Sequence, residues 1–359
     1  MNVNLVSFDP KAASRAEWDR FHRFRRARHA ERDPGDPILG DEAIEAIMSH
    51  DDPFEVAVRF AVLLDGPRRQ IGAMEFGVFR PESASYEANK HLSWASIEVL
   101  KGYRRRGIGT ELLRRAAALA REHGKSRLEF WAEEDDGKAF LEAMKAAVVQ
   151  KRRENRLEMS RVDWSLVHRW VEEGPRRSPR SILVWARNRI EDDSIEEFAR
   201  AFTEVFNQQP FGDSAFRGLT VGPTEVRDDE ARIAAARGTS LTAYTREPDG
   251  RISGLTTVWR FPDMKERITQ GMTGVREAFR GRGLGKWLKA AMLLRIREEF
   301  PEARFIATGN ATSNEAMLSI NERLGFRTHK EPILAQASLD PLEAHLATMP
   351  TKVQLEGAA

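Results

Sequence analysis

The pattern Arg-x-x-Gly-x-Gly occurs twice in this chain of 359 residues, at Arg104 to Gly109 and at Arg280 to Gly285, 176 positions apart. Each copy follows a run suited to a strand, Ser96 to Leu100 and Met272 to Val275, and each opens a helical run. A spacing this long exceeds the period of a solenoid repeat and suits a duplicated domain. Matching hairpins precede the two loops and support duplication of a whole unit. Glu55 to Leu64, Asp65-Gly66-Pro67 and Gln70 to Phe79 read as strand, turn and strand. Ser240 to Tyr244, Glu247-Pro248-Asp249-Gly250 and Arg251 to Phe261 read the same way.

Glycines let a backbone approach a ligand closely and adopt positive φ. A helix opening after such a loop offers unpaired N–H groups to an anion. Arg280, Arg282 and Lys286, and Arg104, Arg105 and Arg106, add positive charge. The loops Gly281, Gly283, Leu284, Gly285 and Gly107, Ile108, Gly109 therefore read as pyrophosphate cradles. The alternative is a glycine turn before a surface helix. A P-loop is excluded, because Trp287 stands where Ser or Thr must follow Gly285-Lys286. A dinucleotide fingerprint fails too, since its third glycine is replaced by Leu288 and Leu112.

The strand–loop–helix pattern resembles motif A of the GNAT superfamily, the acyl-CoA-dependent N-acyltransferases. Asn310 and Asn314, followed by Leu324-Gly325-Phe326, resemble its motif B. The resemblance implies an α/β (α+β) protein of two tandem GNAT-like domains, each a mixed, mostly antiparallel sheet flanked by helices. It implies acetyl-CoA as co-substrate, no metal, and a small primary amine attacking directly in a ternary complex. Backbone at Thr273, Gly274 and Val275 would polarise the thioester, and Asn310 and Asn314 would join the cofactor contacts. Glu98, opposite Gly274 in the repeat, is a candidate base for the first half; its other reading is a carboxylate paired with Lys or Arg. Where the family has a tyrosine acid, this sequence has Asn321, which can donate a hydrogen bond but no proton at neutral pH. Solvent could then protonate the thiolate, whose free-thiol pKa is about 8.5. The first half lacks motif B at Asp135 to Ala147, so the second half is expected to be catalytic. A non-catalytic acyl-CoA sensor or scaffold is the alternative. The region 14–48 is expected to line the acceptor site.

The chain has no cysteine, which removes disulfides, thiolate nucleophiles and Cys-ligated zinc and suits a reducing compartment. No apolar run reaches the ~18 residues of a membrane span, and the N-terminus lacks a signal pattern. A cytoplasmic protein is expected. Net charge is only +2, but arginines cluster, as at Arg20, Arg23, Arg25, Arg26 and Arg28. Such clusters are solvated helix faces or patches for phosphorylated ligands; nucleic acid ranks last as a partner. His22 and His29 can share a helix face, but no further metal ligands lie near. Nothing in the sequence sets the acceptor or the oligomeric state.

The expected organisation is an N-terminal domain 1–160, a linker 161–180 and a C-terminal domain 181–359. A helix from Arg161 to Glu173 should end at Gly174-Pro175. Ser14 with Glu17, and Ser194 with Glu197, are capping-box candidates. A helix is expected at 228–237, and one strand from Thr328 to Ala337.

Overall fold

The computed structural model describes residues 3–64, 69–353 and 355–357. The turn expected at Asp65-Gly66-Pro67 lies outside them. The chain forms two compact units, residues 1–150 with 213–217 and 332–359, and residues 151–212 with 218–331.

The first unit opens with β1 (Val3–Ser7), α1 (Arg15–Arg32) and α2 (Asp41–Ser49). The expected box caps α1: the Ser14 hydroxyl accepts from the Glu17 amide while Glu17 accepts from the Ser14 amide. Then come β2 (Glu55–Leu64), β3 (Arg69–Phe79), the single turn α3 (Tyr86–Asn89), β4 (Leu92–Val99), α4 (Ile108–Glu122), β5 (Arg127–Ala132) and α5 (Asp135–Ala143). Helix α4 buries the stripe Leu112, Leu113, Ala116, Leu119 and Ala120 against Ile71, Met74, Phe76 and Leu128.

The second unit uses most of β6 (Ala147–Glu158), then α6 (Trp164–Arg177), β7 (Ile182–Arg187), α7 (Ile195–Asn207), α8 (Pro223–Ala235), β8 (Thr239–Arg246), β9 (Ile252–Arg260), β10 (Arg267–Val275), α9 (Leu284–Glu299), β11 (Phe305–Ala311), α10 (Glu315–Leu324) and β12 (Arg327–Lys330). The chain then returns to the first unit with β13 (Ile333–Ser338), α11 (Leu339–Ala347) and β14 (Leu355–Glu356).

In the first unit the strand order is β14-β1-β2-β3-β4-β5-β13, and in the second β6-β11-β10-β9-β8-β7, with β12 also on β6. Each sheet is mostly antiparallel. The parallel pairs are β4·β5 and β1·β14 in the first and β10·β11 in the second.

Five expectations fail locally. The single strand over 328–337 is two, because Glu331-Pro332 interrupts it: proline has no N–H to donate and a fixed φ. The chain beyond that break adds β13 to β5, so residues 332–359 belong to the first unit although sequence order places them with the second half. Helix α6 runs past Gly174 and Pro175 to Arg177, since Trp287 packs on the bare Gly174 Cα, where a Cβ would come within 2.2 Å, and the Ser178 amide closes on Gly174. Ser194 makes no side-chain cap. Its hydroxyl donates to Asp193 and accepts from Arg246, while Glu197 accepts from the Ile252 amide and pairs with Arg276. Pro223 starts α8 five residues early, at the position where a missing N–H costs nothing.

Candidate functional site

The site elements are the same in both units: a strand, a glycine loop, a helix, and a neighbouring parallel strand that separates from the first. Strands β4 and β5 pair only over Leu92–Trp94 and Arg127–Glu129. Strands β10 and β11 pair only over Arg267–Thr269 and Phe305–Ala307. Beyond these residues each strand keeps its outer partner and the two central strands diverge, which opens a cleft beside the loop.

In the second unit, the ladder between β10 and β9 is irregular between Gln270 and Thr273. A bulge re-aims backbone groups and commonly lies beside active sites. Thr273 hydrogen-bonds Thr256 at 2.7 Å, and Gln270 donates to Thr256 (3.0 Å) and to the Thr257 carbonyl (2.8 Å). The ladder between β4 and β3 has no such shift.

After β10 a 3-10 turn leads into the loop, where Gly281 and Gly283 take φ of 79° and 83°. Arg177 donates to the Gly281 carbonyl (3.0 Å) and the Ser178 hydroxyl to the Arg282 carbonyl (3.3 Å). In a trans peptide the C=O and the following N–H point in opposite directions. Fastening those two carbonyls on one side therefore aims the amides of Arg282 and Gly283 to the other. Among the described residues the amides of Gly281, Arg282 and Gly283 make no protein hydrogen bond, and no side chain caps α9. The first amides of α9, from Leu284, Gly285 and Lys286, lack helical partners by geometry. The arrangement is a row of N–H donors at the positive end of a helix.

The surrounding side chains are unequal. Arg280 is exposed and bonded to Gln208. Arg282 donates to Ser181 (2.8 Å) and pairs with Glu247 (3.1 Å). The Lys286 ammonium lies 5.7 Å from the Trp170 ring centre. Asn314 caps α10 by accepting from the Met317 amide at 3.3 Å.

Asn321 is 1% exposed. Its oxygen accepts from Lys289 Nζ at 2.8 Å, and its amide donates to Asn310 Oδ1 at 2.9 Å. Sequence reasoning missed Lys289. It is 2% exposed, lies 4.9 Å over the Phe326 ring, and burial pulls its pKa down to about 7. The available signal was its position inside the otherwise apolar run Trp287 to Leu294.

The first loop has the same backbone turn with different fastenings. Arg105 takes φ 65° and Gly107 φ 93°. The amides of Arg105, Arg106 and Gly107 likewise make no protein hydrogen bond among the described residues. Ile108 and Gly109 begin α4. Arg104 donates to Glu134 and Asp136, both at 2.7 Å, and Arg106 donates to the Gly102 carbonyl. Lys352 passes so close to Gly107 that a Cβ there would lie 2.7 Å from it. Glu98 lies 3.6 Å from Arg32 and 4.0 Å from Arg28. Its counterpart Gly274 faces Val205, which would stand 2.3 Å from an added Cβ.

The α1 arginines are largely consumed within the unit. Arg25 and Arg26 bind Asp41, and Arg28 binds Glu31 and Glu134. His22 is buried against Glu45 at 2.9 Å, and burial lowers its pKa. Among the described residues no group of three or more His, Cys, Asp or Glu side chains is placed to hold a metal ion. No described helix is long and apolar enough to cross a membrane.

Two copies of a sheet that splits beside a glycine loop and an open helix end constitute the tandem GNAT fold. Residues 19–144 match the family model described as acetyltransferase (GNAT) family, in the half of the chain where motif B is missing. A tandem GNAT protein from the clavulanic acid biosynthesis pathway, solved without acetyl-CoA, superposes with TM-score 0.74 at 20% identity, over 94% of this chain and 99% of that one. A GCN5-related N-acetyltransferase from Sphaerobacter thermophilus superposes with TM-score 0.62 at 14% identity, over 94% and 96%. No curated protein matches the sequence.

Proposed function

We propose that the chain is an N-acyltransferase that moves an acetyl group from acetyl-CoA to the primary amine of a small molecule, by direct attack in a ternary complex. The second unit is the catalytic half. The observation that carries this reading is the second loop, whose carbonyls are fastened by Arg177 and Ser178 so that its amides are left to an anion. The CoA pyrophosphate would lie on the amides from Gly281 to Lys286, with Arg280 as the adjustable cation. Backbone at Thr273 to Val275, after the bulge, would polarise the thioester carbonyl, and one such donor is worth about 2.7–4 kcal/mol. Positioning of donor and amine supplies much of the remaining acceleration. Asn321, held by Lys289 and Asn310, would donate to the thiolate sulfur rather than protonate it. Glu98 remains a candidate base for the first unit alone, with Arg32 and Arg28 as its observed neighbours.

The test is release of free CoA from acetyl-CoA across a panel of small amines. Wild-type protein is expected to turn over, and Arg280→Ala to raise the KM for acetyl-CoA about tenfold, the loss of one charged hydrogen bond. Acetyl-CoA that protects against thermal unfolding with no turnover on any amine favours the second reading, a non-catalytic acyl-CoA sensor, for which the unusual Asn321 and the missing first motif B speak. If acetyl-CoA neither binds nor reacts, both readings fail.

A further inference from the structure

Lys289, Asn321 and Asn310 form a chain of hydrogen bonds inside the second unit, in which every donor points the same way. Lys289 comes from α9, Asn321 from α10, and Asn310 from the part of β11 beyond Ala307, where its pairing with β10 ends. The direction of the chain is set at one end. An ammonium group only donates, whereas a carboxamide accepts at its oxygen and donates at its nitrogen. With Lys289 charged, Asn321 can turn only its oxygen to Nζ. Its nitrogen then points away, towards Asn310 Oδ1. One hydrogen of that nitrogen is taken there, and the second has no acceptor among the described residues.

The lysine has no rival partner. Asn321 Oδ1 is its one oxygen acceptor among the described residues. The elements packed on α9 bring apolar side chains: Val167 and Trp170 of α6, Leu241 of β8, Val258 of β9 and Ile268 of β10. The charged groups seated on this core are themselves cations, Lys286 and Arg323 over Trp170 and Arg297 over Trp164. Burial alone lowers the Lys289 pKa, to about 7. Near neutral pH the amine therefore exists in two forms. The neutral form has a lone pair and accepts as well as donates, so it leaves the Asn321 amide free to turn over.

We propose that Lys289 is a positioning residue for acetyl transfer: its ammonium fixes the Asn321 carboxamide so that an N–H, and not the oxygen, faces the departing sulfur. The consequence for transfer rests on the acyltransferase reading above; the orientation itself does not. The attacking amine forms the C–N bond, the C–S electron pair goes to sulfur, and solvent takes and supplies the protons. Lys289 and Asn321 transfer none. A carboxamide whose oxygen accepts from a cation is polarised and donates more strongly from its nitrogen.

On an amine that the wild type acetylates, Lys289→Met should lower kcat about tenfold and leave the KM for acetyl-CoA within about twofold. In an Asn321→Ala background the same change should cost less than about twofold, because the lysine acts through that carboxamide. Lys289→Gln keeps a donor without the charge and should recover part of the loss. The ratio of wild-type to Lys289→Met kcat should fall between pH 6 and pH 8.5 as the lysine loses its proton, and the ratio of Lys289→Gln to Lys289→Met should stay flat. Melting curves show that the variants fold. A second readout needs no turnover. The side-chain ¹⁵N signal of Asn321, assigned by its loss in Asn321→Ala, should titrate over that pH range in wild type and stay fixed in Lys289→Met. Equal losses from Lys289→Met with and without Asn321, or a wild-type ratio that does not change with pH, overturn the proposal. So does an Asn321 signal that ignores pH, or one that titrates equally in Lys289→Met, whether or not the chain turns over. A titrating Asn321 signal without turnover on any amine refutes the acyltransferase reading and leaves the orientation standing.

Discussion

At the second residue of its glycine loop the first unit has Arg105 with φ 65°, where the second has Gly281 with φ 79°. The backbones match and the residues do not, so the first unit tolerates a left-handed arginine that the second avoids. The loop's leading arginine has diverged further. Arg104 is bound by Glu134 and Asp136, whereas Arg280 is exposed against Gln208. One copy uses its arginine to hold the loop to the start of α5, and the other leaves it available. The units also differ in the titratable groups that desolvation shifts strongly: a half-buried carboxyl, Glu55, in the first and a fully buried amine, Lys289, in the second. Duplication preserved the turn and the donor row, while the charges around them were reassigned.

The largest expected difference concerns Lys289. Its pKa in the fold, about 7, lies below the ordinary lysine value of about 10.4 in the unfolded chain. Between those values the unfolded state binds more protons, so stability should rise with pH. Denaturant unfolding of wild type and Lys289→Met at pH 7 and pH 9.5 should show wild type gaining roughly 2 kcal/mol or more relative to the variant, against a ceiling of about 1.4 kcal/mol per pH unit. Parallel pH profiles for the two proteins would remove the buried amine from the comparison.

Next comes Arg104→Ala, which leaves the partly buried Glu134 with Arg28 alone. Loss of that charged contact should cost about 2 kcal/mol, while Arg280→Ala, at an exposed position, should cost under about 0.5 kcal/mol. The order should invert for CoA affinity. Equal stability losses would mean that the two arginines do not differ in role.

Glu55 has the opposite pH sign to Lys289. Its raised pKa means that the fold holds a proton the unfolded chain has lost between about pH 4.5 and 7. Stability from this group is present below that window and is lost as pH rises through 7. Glu55→Gln should therefore stabilise the protein by about 1–2 kcal/mol at pH 8 and by little at pH 4.5, measured by denaturant midpoints. A constant gain at both pH values would place its effect outside titration.

Much of this architecture was legible from local pattern. The glycine loops, strand β2 and the cap at Ser14 follow from spacing and side-chain chemistry, which act within a few residues. What was not legible depends on partners far along the chain. Helix α6 continues through Pro175 because Trp287, more than a hundred positions later, fills the space at Gly174. Ser194 loses its cap to Arg246. The break at Pro332 could be read from proline, but not that β13 would then join β5. Lys289 looks like any helix lysine until Asn321 and Phe326 surround it, and Glu55 looks like a strand-end carboxylate until Trp94 lies over Gly77. The donor row was foreseen as glycine permissiveness, but its aim is set by Arg177 and Ser178, which sequence spacing does not connect to Gly281 and Arg282.

The smallest effect tests the backbone equivalence itself. If Arg105 adopts its φ only because the loop dictates it, Arg105→Gly should stabilise the protein by up to about 1 kcal/mol, since glycine meets no Cβ penalty there. The gain is reduced by glycine's greater unfolded entropy, so a few tenths of a kcal/mol remains consistent. The reverse change, Gly281→Arg, should destabilise by about 1 kcal/mol without a steric clash, because nothing lies within 4 Å of a Cβ at that position. Paired melts of the two variants separate conformational cost from contact. If Arg105→Gly destabilises by more than its entropy cost, the arginine side chain makes contacts that hold the first loop, and the two turns are alike in shape but not in what maintains them.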